Sequence, residues 1–454
     1  MNAARWILAI WIVAGWARAG RAAEPGLADE TGAPPDTSVG VPIQLEEALT
    51  RARAASQHLG ALAALHTAAE ASLAGARAAS WPTVDLGAGY TRQSNVPELT
   101  LALPGSPPRT LFPNIPDDYR ARASLAIPLY TGGRLSATED AASKESTASA
   151  EDARAGIHDL DLETTSAFWV VLTARESARV LDDALASFDR HSEDARARES
   201  VGMAAKSDVL AVEVERERSV LARLTAWNQA QVANADLVRL VGADPGTVLA
   251  PVAPAELPSV PAGNLDGLVR EALEARPEHR ALAERLEAAE ARVSAERSAY
   301  WPQAALAGGY DEARPNQRIL PPHDEWDSSW DVGVNVSLDV FDFGRTAAAV
   351  AHARALADAA SRQLADVDAR IRQEVTARLL DLESSRSAVP VAERALASAT
   401  ESQRVSEERF REGVAPSSEL LDAEVALEHA ALERTRSIAA AHLAGATLRR
   451  ALGR

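Results

Sequence analysis

Few side chains in this sequence are spaced for covalent chemistry. There is no cysteine, which excludes thiolate nucleophiles, thiolate metal sites and disulfides. The nine histidines are scattered, and no HExxH, P-loop or GxSxG pattern occurs. His323-Asp324-Glu325 could offer metal donors, but the flanking prolines make it read as a polar loop. The glycine pairs near Gly87 and Gly308 lack GxGxxG spacing. No catalytic group, cofactor or resident metal is therefore expected. A formal charge of −18 also argues against a nucleic-acid partner.

The regular spacing lies in turn-forming residues, and it occurs twice. Trp81-Pro82 and Gly89-Tyr90 recur as Trp301-Pro302 and Gly309-Tyr310. Gly133-Arg134 recurs as Gly344-Arg345. "VGMAAKSDVLAVE" (201–213) recurs as "EGVAPSSELLDAE" (412–424), pairing Gly202 with Gly413, Ser207 with Ser418 and Asp208 with Glu419. Three blocks repeated in one order make the chain a tandem duplication. The expected halves are 43–241 and 264–454, joined by a Pro-rich linker at 242–263.

Each half reads helix, strand, irregular loop, strand, very long helix, short break, helix. Long helices are expected at 134–200 and 345–412, followed by helices at 206–241 and 417–451. About 65 residues at 1.5 Å rise make a rod of roughly 100 Å, far longer than a globular core requires. Their stripes are mostly alanine, which buries little per residue. Pro390 should kink or interrupt its helix.

Strands are expected at 82–92, 120–130, 302–311 and 331–342. In the last, Val332, Val334, Val336, Leu338 and Val340 alternate with Gly333, Asn335, Ser337 and Asp339. Such a pattern suits a barrel strand with lipid on one side and water on the other. It equally suits a half-buried sheet in a soluble domain. Four strands cannot enclose a water-filled lumen, and an open sheet edge is not tolerated in hydrocarbon. If these strands span a membrane, several chains must pool them.

Residues 1–23 read as a secretory signal peptide: Arg5, then "WILAIWIVAGW" (6–16), then small-residue cleavage sites. Residues 24–42, rich in Pro, Gly and acid, are expected to lack order.

With these features together, the chain resembles the TolC-like family of outer-membrane efflux proteins, from about Ile43 to its C-terminus. The tandem halves, the paired Trp-Pro, the Gly-Arg junctions, the two helix breaks and "LVGADPG" carry the resemblance. It implies a mainly α protein with membrane β: a homotrimeric twelve-stranded outer-membrane barrel, four strands per chain, continued by a periplasmic α-helical barrel. Gly133, Arg134, Gly344 and Arg345 would mark the strand-to-helix junctions. Gly202, Met203, Ser207, Asp208, Gly413, Val414 and Ser418 would form periplasmic tips that dock an adaptor protein, with Ser207 and Ser418 in the helix-capping region. Glu419 and Asp422 would line the entrance and attract cations. An inner-membrane pump of RND, ABC or MFS type would supply energy, and the conduit itself would be passive. Ala415 and Phe410 depart from the family pattern, which argues against its usual hydrogen-bonded latch. The alternative is a soluble periplasmic coiled-coil adaptor or scaffold, which explains the helices but not the duplicated strands.

Overall fold

The computed structural model describes residues 40–101, 105, 108–254 and 256–454. The expected leader, most of the segment 24–42 and residues 102–104, 106–107 and 255 lie outside them. In chain order the elements are β1 (Val41–Ile43), α1 (Leu45–Ala55), α2 (Gln57–Ala78), β2 (Thr83–Arg92), β3 (Leu99–Leu101), β4 (Arg109–Phe112), β5 (Asp117–Tyr130), α3 (Arg134–Ser200) and α4 (Lys206–Val241). The second half supplies β6 (Leu249–Pro251), α5 (Leu265–Ala275), α6 (Pro277–Arg297), β7 (Gln303–Arg314), β8 (Asp327–Ser337), α7 (Arg345–Arg411) and α8 (Ser417–Ala451).

Several elements differ from the sequence reading. The opening helix of each half is two helices. Ser56, extended at the first break, caps α2 by accepting from Leu59 N–H. At the second break Pro277 opens α6, where a missing N–H costs nothing. Val41 and Pro42 belong to a strand, not to a disordered segment: β1 pairs in parallel with β6, which lies inside the linker. β8 ends at Ser337, short of 342. α7 runs through Pro390 without a break.

The long helices pair as antiparallel hairpins, α3 with α4 and α7 with α8, each long member having 67 residues. Burial is concentrated rather than continuous. One core gathers Phe168, Trp169, Leu237, Ile43 and Leu249 where α1 and the β1–β6 pair meet α3 and α4. Its counterpart gathers Leu268, Val269, Ile371, Val375, Leu382 and Leu448 where α5 meets α7 and α8. A third, small core of Phe188, Val212 and Leu421 ties the two hairpins together nearer their tips.

The four long strands make one antiparallel sheet in the order β2-β5-β7-β8. The duplicated halves meet in the β5–β7 pairing, from Tyr119↔Arg314 to Tyr130↔Ala304. Among the described residues, β2 and β8 each keep one edge without a partner strand. The register sorts side chains cleanly. Val84, Leu86, Leu125, Ile127, Leu306, Val332, Val334 and Val336 fall on one face. Asp85, Arg120, Arg122, Ser124, Asp311, Asp331 and Asn335 fall on the other. The apolar face is bare: Leu86 is 83% exposed and Val332 67%. Among the described residues, no helix is long and apolar enough to cross a membrane.

Candidate functional site

Three features carry the functional geometry: the strand-to-helix corners, the helix tips and the aromatic margins of the sheet. At the corners, Gly133 (φ 85°) and Gly344 (φ 86°) cap α3 and α7 in the left-handed region. Each follows another left-handed residue, Gly132 (φ 62°) and Phe343 (φ 55°). Two such residues in succession turn the chain into the helix, soon after β5 ends at Tyr130 in the first half and after residues 338–342 in the second; glycine adopts this conformation at least cost. Asp342, which the sequence reading did not single out, holds the second corner. Its carboxylate accepts from Gly344 N–H (3.0 Å) and from Thr346 N–H (2.7 Å). Thr131 occupies the equivalent place in the first half, its hydroxyl accepting from Leu135 N–H at 3.4 Å. Arg134 and Arg345 begin their helices, and Arg345 reaches Asp339 at 2.8 Å.

The tips are matched Schellman motifs. Met203 N–H donates to Arg198 O and Gly202 N–H to Glu199 O. At the second tip Val414 N–H donates to Arg409 O and Gly413 N–H to Phe410 O. Both glycines have φ near +76° (75° and 77°), as this motif requires. The following helices are capped by Ala205 and Pro416 without a side-chain bond. Ser207 and Ser418 therefore do not serve as N-caps. Ser207 instead lies 3.3 Å from Asp208, inside the first turn of α4. Met203 and Val414 project outward at 73% and 67% exposure.

Glu419 and Asp422 are distinct in their surroundings. Glu419 pairs with Arg409 across its own hairpin. Asp422 is exposed and has no ion-pair partner among the described residues.

Next to the tips lies a buried polar cluster that pattern reading missed. His191 Nδ1 donates to Glu424 Oε2 (2.7 Å), and His191 Nε2 lies 2.9 Å from Ser417 Oγ. Ser187 Oγ donates to the other Glu424 oxygen (2.7 Å). Phe410 packs edge-on against His191, and Arg198 lies 4.0 Å over the Phe410 ring while donating to Phe410 O (2.6 Å). The two hairpins are thus held by Arg198, His191 and Phe410, which join residues more than 200 positions apart in sequence. The only sequence signal was Phe410 itself, standing where the family pattern has an aromatic hydroxyl.

The sheet has aromatic margins. At its far end the Tyr90 and Tyr119 rings meet at a tilt with centroids 4.9 Å apart, and Tyr310 faces Trp330 across β7–β8. At the helix end Trp81, Tyr130, Trp301, Phe341 and Phe343 are exposed. An apolar band between two aromatic rows is the profile of a strand set crossing a bilayer. His323, Asp324 and Glu325 do not converge. His323 pairs with Asp327 at 2.9 Å, and Asp324 takes two bonds from Arg314 at 2.8 and 3.0 Å.

The model of the family described as outer membrane efflux protein matches residues 48–243 and 268–454, one segment per half. The chain belongs to the outer membrane efflux protein family. A curated relative, outer membrane protein OprJ of Pseudomonas aeruginosa, is 28% identical over 249 residues. That match covers 53% of this chain and spans half of OprJ's length. Among solved structures, a membrane protein from Pseudomonas aeruginosa superposes with TM-score 0.76 at 23% identity, covering 90% of this chain and 93% of that one. VceC of Vibrio cholerae superposes with TM-score 0.75 at 19% identity, covering 90% and 96%. The Campylobacter jejuni CmeC outer membrane channel gives 0.77 at 17%, covering 90% and 85%. At these identities the likeness is one of fold. Family membership accounts for the outward apolar face, which a soluble coiled-coil adaptor would leave exposed to water.

Proposed function

We propose that the chain is the outer-membrane exit conduit of a tripartite efflux or type I secretion system, acting as a homotrimer. Three copies each contribute the β2-β5-β7-β8 sheet to one twelve-stranded barrel, with lipid on the Val/Leu face and water inside. The two hairpins of each chain continue it as a helical tube in the periplasm. The observation that carries this reading is the sheet itself. Among the described residues it has a bare apolar face and two unpaired edges, and its strands β5 and β8 lead through Gly133 and Gly344 into the two 67-residue helices. Hydrocarbon tolerates such edges only if they close on other copies.

The tips, with Gly202, Met203, Ser207, Asp208, Gly413, Val414 and Ser418, are assigned to docking the periplasmic adaptor. The exposed Met203 and Val414 supply apolar anchors there. Asp422, with Glu419 partly offset by Arg409, is assigned to the narrow entrance. An inner-membrane pump supplies the energy. The test is fractionation followed by electrophoresis without heating. The protein should be retained in detergent-extracted outer membrane, migrate as an SDS-resistant trimer and form conducting steps in planar bilayers. A correctly folded monomer soluble in plain buffer would refute the assignment.

A further inference from the structure

The polar face of the sheet holds a charge network near the end farthest from the helices. Arg120 Nε of β5 donates to Asp311 Oδ1 of β7 at 2.7 Å, and Arg122 Nη1 donates to the other Asp311 oxygen. Arg122 Nη2 reaches on to both Asp331 oxygens, at 3.2 and 3.4 Å. Arg318 from the β7–β8 loop closes the row, 3.6 Å from Asp331. Asp311 keeps only 7% of its side-chain exposure, because the arginines lie over it. Gly309 provides the seat of Arg122. A Cβ there would come within 2.2 Å of Arg122 Nη2 and 2.6 Å of its Cζ, so the guanidinium occupies the space a side chain would fill.

We propose that Asp311 and Gly309 are positioning residues that hold Arg120 and Arg122 against the inner wall of the barrel. Multivalent anionic cargo can then leave through the outer mouth without being retained. This rests on the barrel reading above. Three chains place six arginines around one lumen. Unpinned, these long cations would extend into the water and form a site for polyanions, as rings of arginine do in anion pores. The Gly-Tyr pair thereby has a divided role in the second half: Gly309 seats an arginine inside, and Tyr310 faces out.

The experiment uses the full trimer in planar bilayers, with tripolyphosphate added on the barrel side at low salt. Screening over about 3 Å at 1 M salt should abolish the effect. Asp311→Asn and, independently, Gly309→Ala should lower the half-blocking tripolyphosphate concentration about tenfold relative to the unsubstituted protein. The triple variant R120Q/R122Q/D311N should return it to the starting value. If both single variants form channels that are blocked no more readily than the unsubstituted trimer, the positioning role is wrong and the conduit stands. If the unsubstituted protein forms no conducting steps, the conduit reading itself fails.

Discussion

Glu419 and Asp422 sit three residues apart on α8, yet their surroundings make them unequal. Arg409 offsets the first, while the second is open to solvent. Asp422→Asn is expected to weaken block by multivalent cations added on the periplasmic side clearly more than Glu419→Gln, as read from single-channel recordings. His191 presents a different case. Taking a hydrogen-bond partner from a buried polar group costs about 1–3 kcal/mol. His191→Ala would leave Glu424, 5% exposed, with only Ser187. Trypsin should then cut faster at Arg196 and Arg198, with the barrel's resistance to SDS unchanged. His442 stacks on Trp169 at 4.1 Å; burial, with help from Arg449, holds its imidazole below the ordinary value of 6.5. Such a group binds fewer protons folded than unfolded, so stability rises with pH through that interval. Melting temperature should fall as pH drops from the ordinary histidine value towards the depressed one, and His442→Gln should flatten that slope.

Helices α3 and α7 depend on their corners. Gly133 has open space around a notional Cβ, its nearest contact being Ser136 Oγ at 4.0 Å. Gly133→Ala therefore incurs only the left-handed strain of an L-residue, roughly 1–2 kcal/mol. At Gly132 a Cβ would meet Ser298 O at 2.6 Å and Trp301 Cβ at 2.9 Å. Gly132→Val is expected to lower the yield of folded oligomer much more than Gly133→Ala, as measured by heat-dependent mobility on SDS gels. The second half shows that glycine is not obligatory at this first position, since Phe343 holds φ 55° with its ring edge-on to Phe341 at 4.7 Å. Tip integrity depends on the Schellman glycines, and the hold between the hairpins depends on the Arg198–Phe410 contact.

At the scale of the whole molecule, stability and membrane insertion are tied to association. The free margins of β2 and β8 make the lone chain unsuited to lipid, and pairing them would remove the last open edges. In an antiparallel strand, successive N–H groups point to opposite sides, so either Asp85 or Leu86 directs its N–H away from β5. Proline at whichever points outward should abolish the SDS-resistant oligomer, and proline at the other should disturb the β2–β5 pairing within the chain. Comparing the two variants by unheated electrophoresis and by circular dichroism separates closure between chains from folding within one.

The repeat, the alternating strands and the ends of the long helices were legible because each is written in local pattern: period two, a proline-free run, a glycine where φ must turn positive. Gly133, Gly202, Gly344 and Gly413 were readable for that reason. The small β1–β6 pair and the two-piece opening helices were not, since three-residue strands and a single extended serine leave no periodic trace. Nor could pattern show that Asp342 would bond the first turn of α7, that Arg409 would neutralise Glu419, or that His191 would meet Glu424. The last of these is 233 positions distant. Alternation determined that one face of each strand is greasy and the other polar. Only the register of β5 against β7 decided that Arg122 lies across Gly309 and reaches Asp311, because which side chains touch across a sheet is set by strand pairing rather than by proximity in sequence.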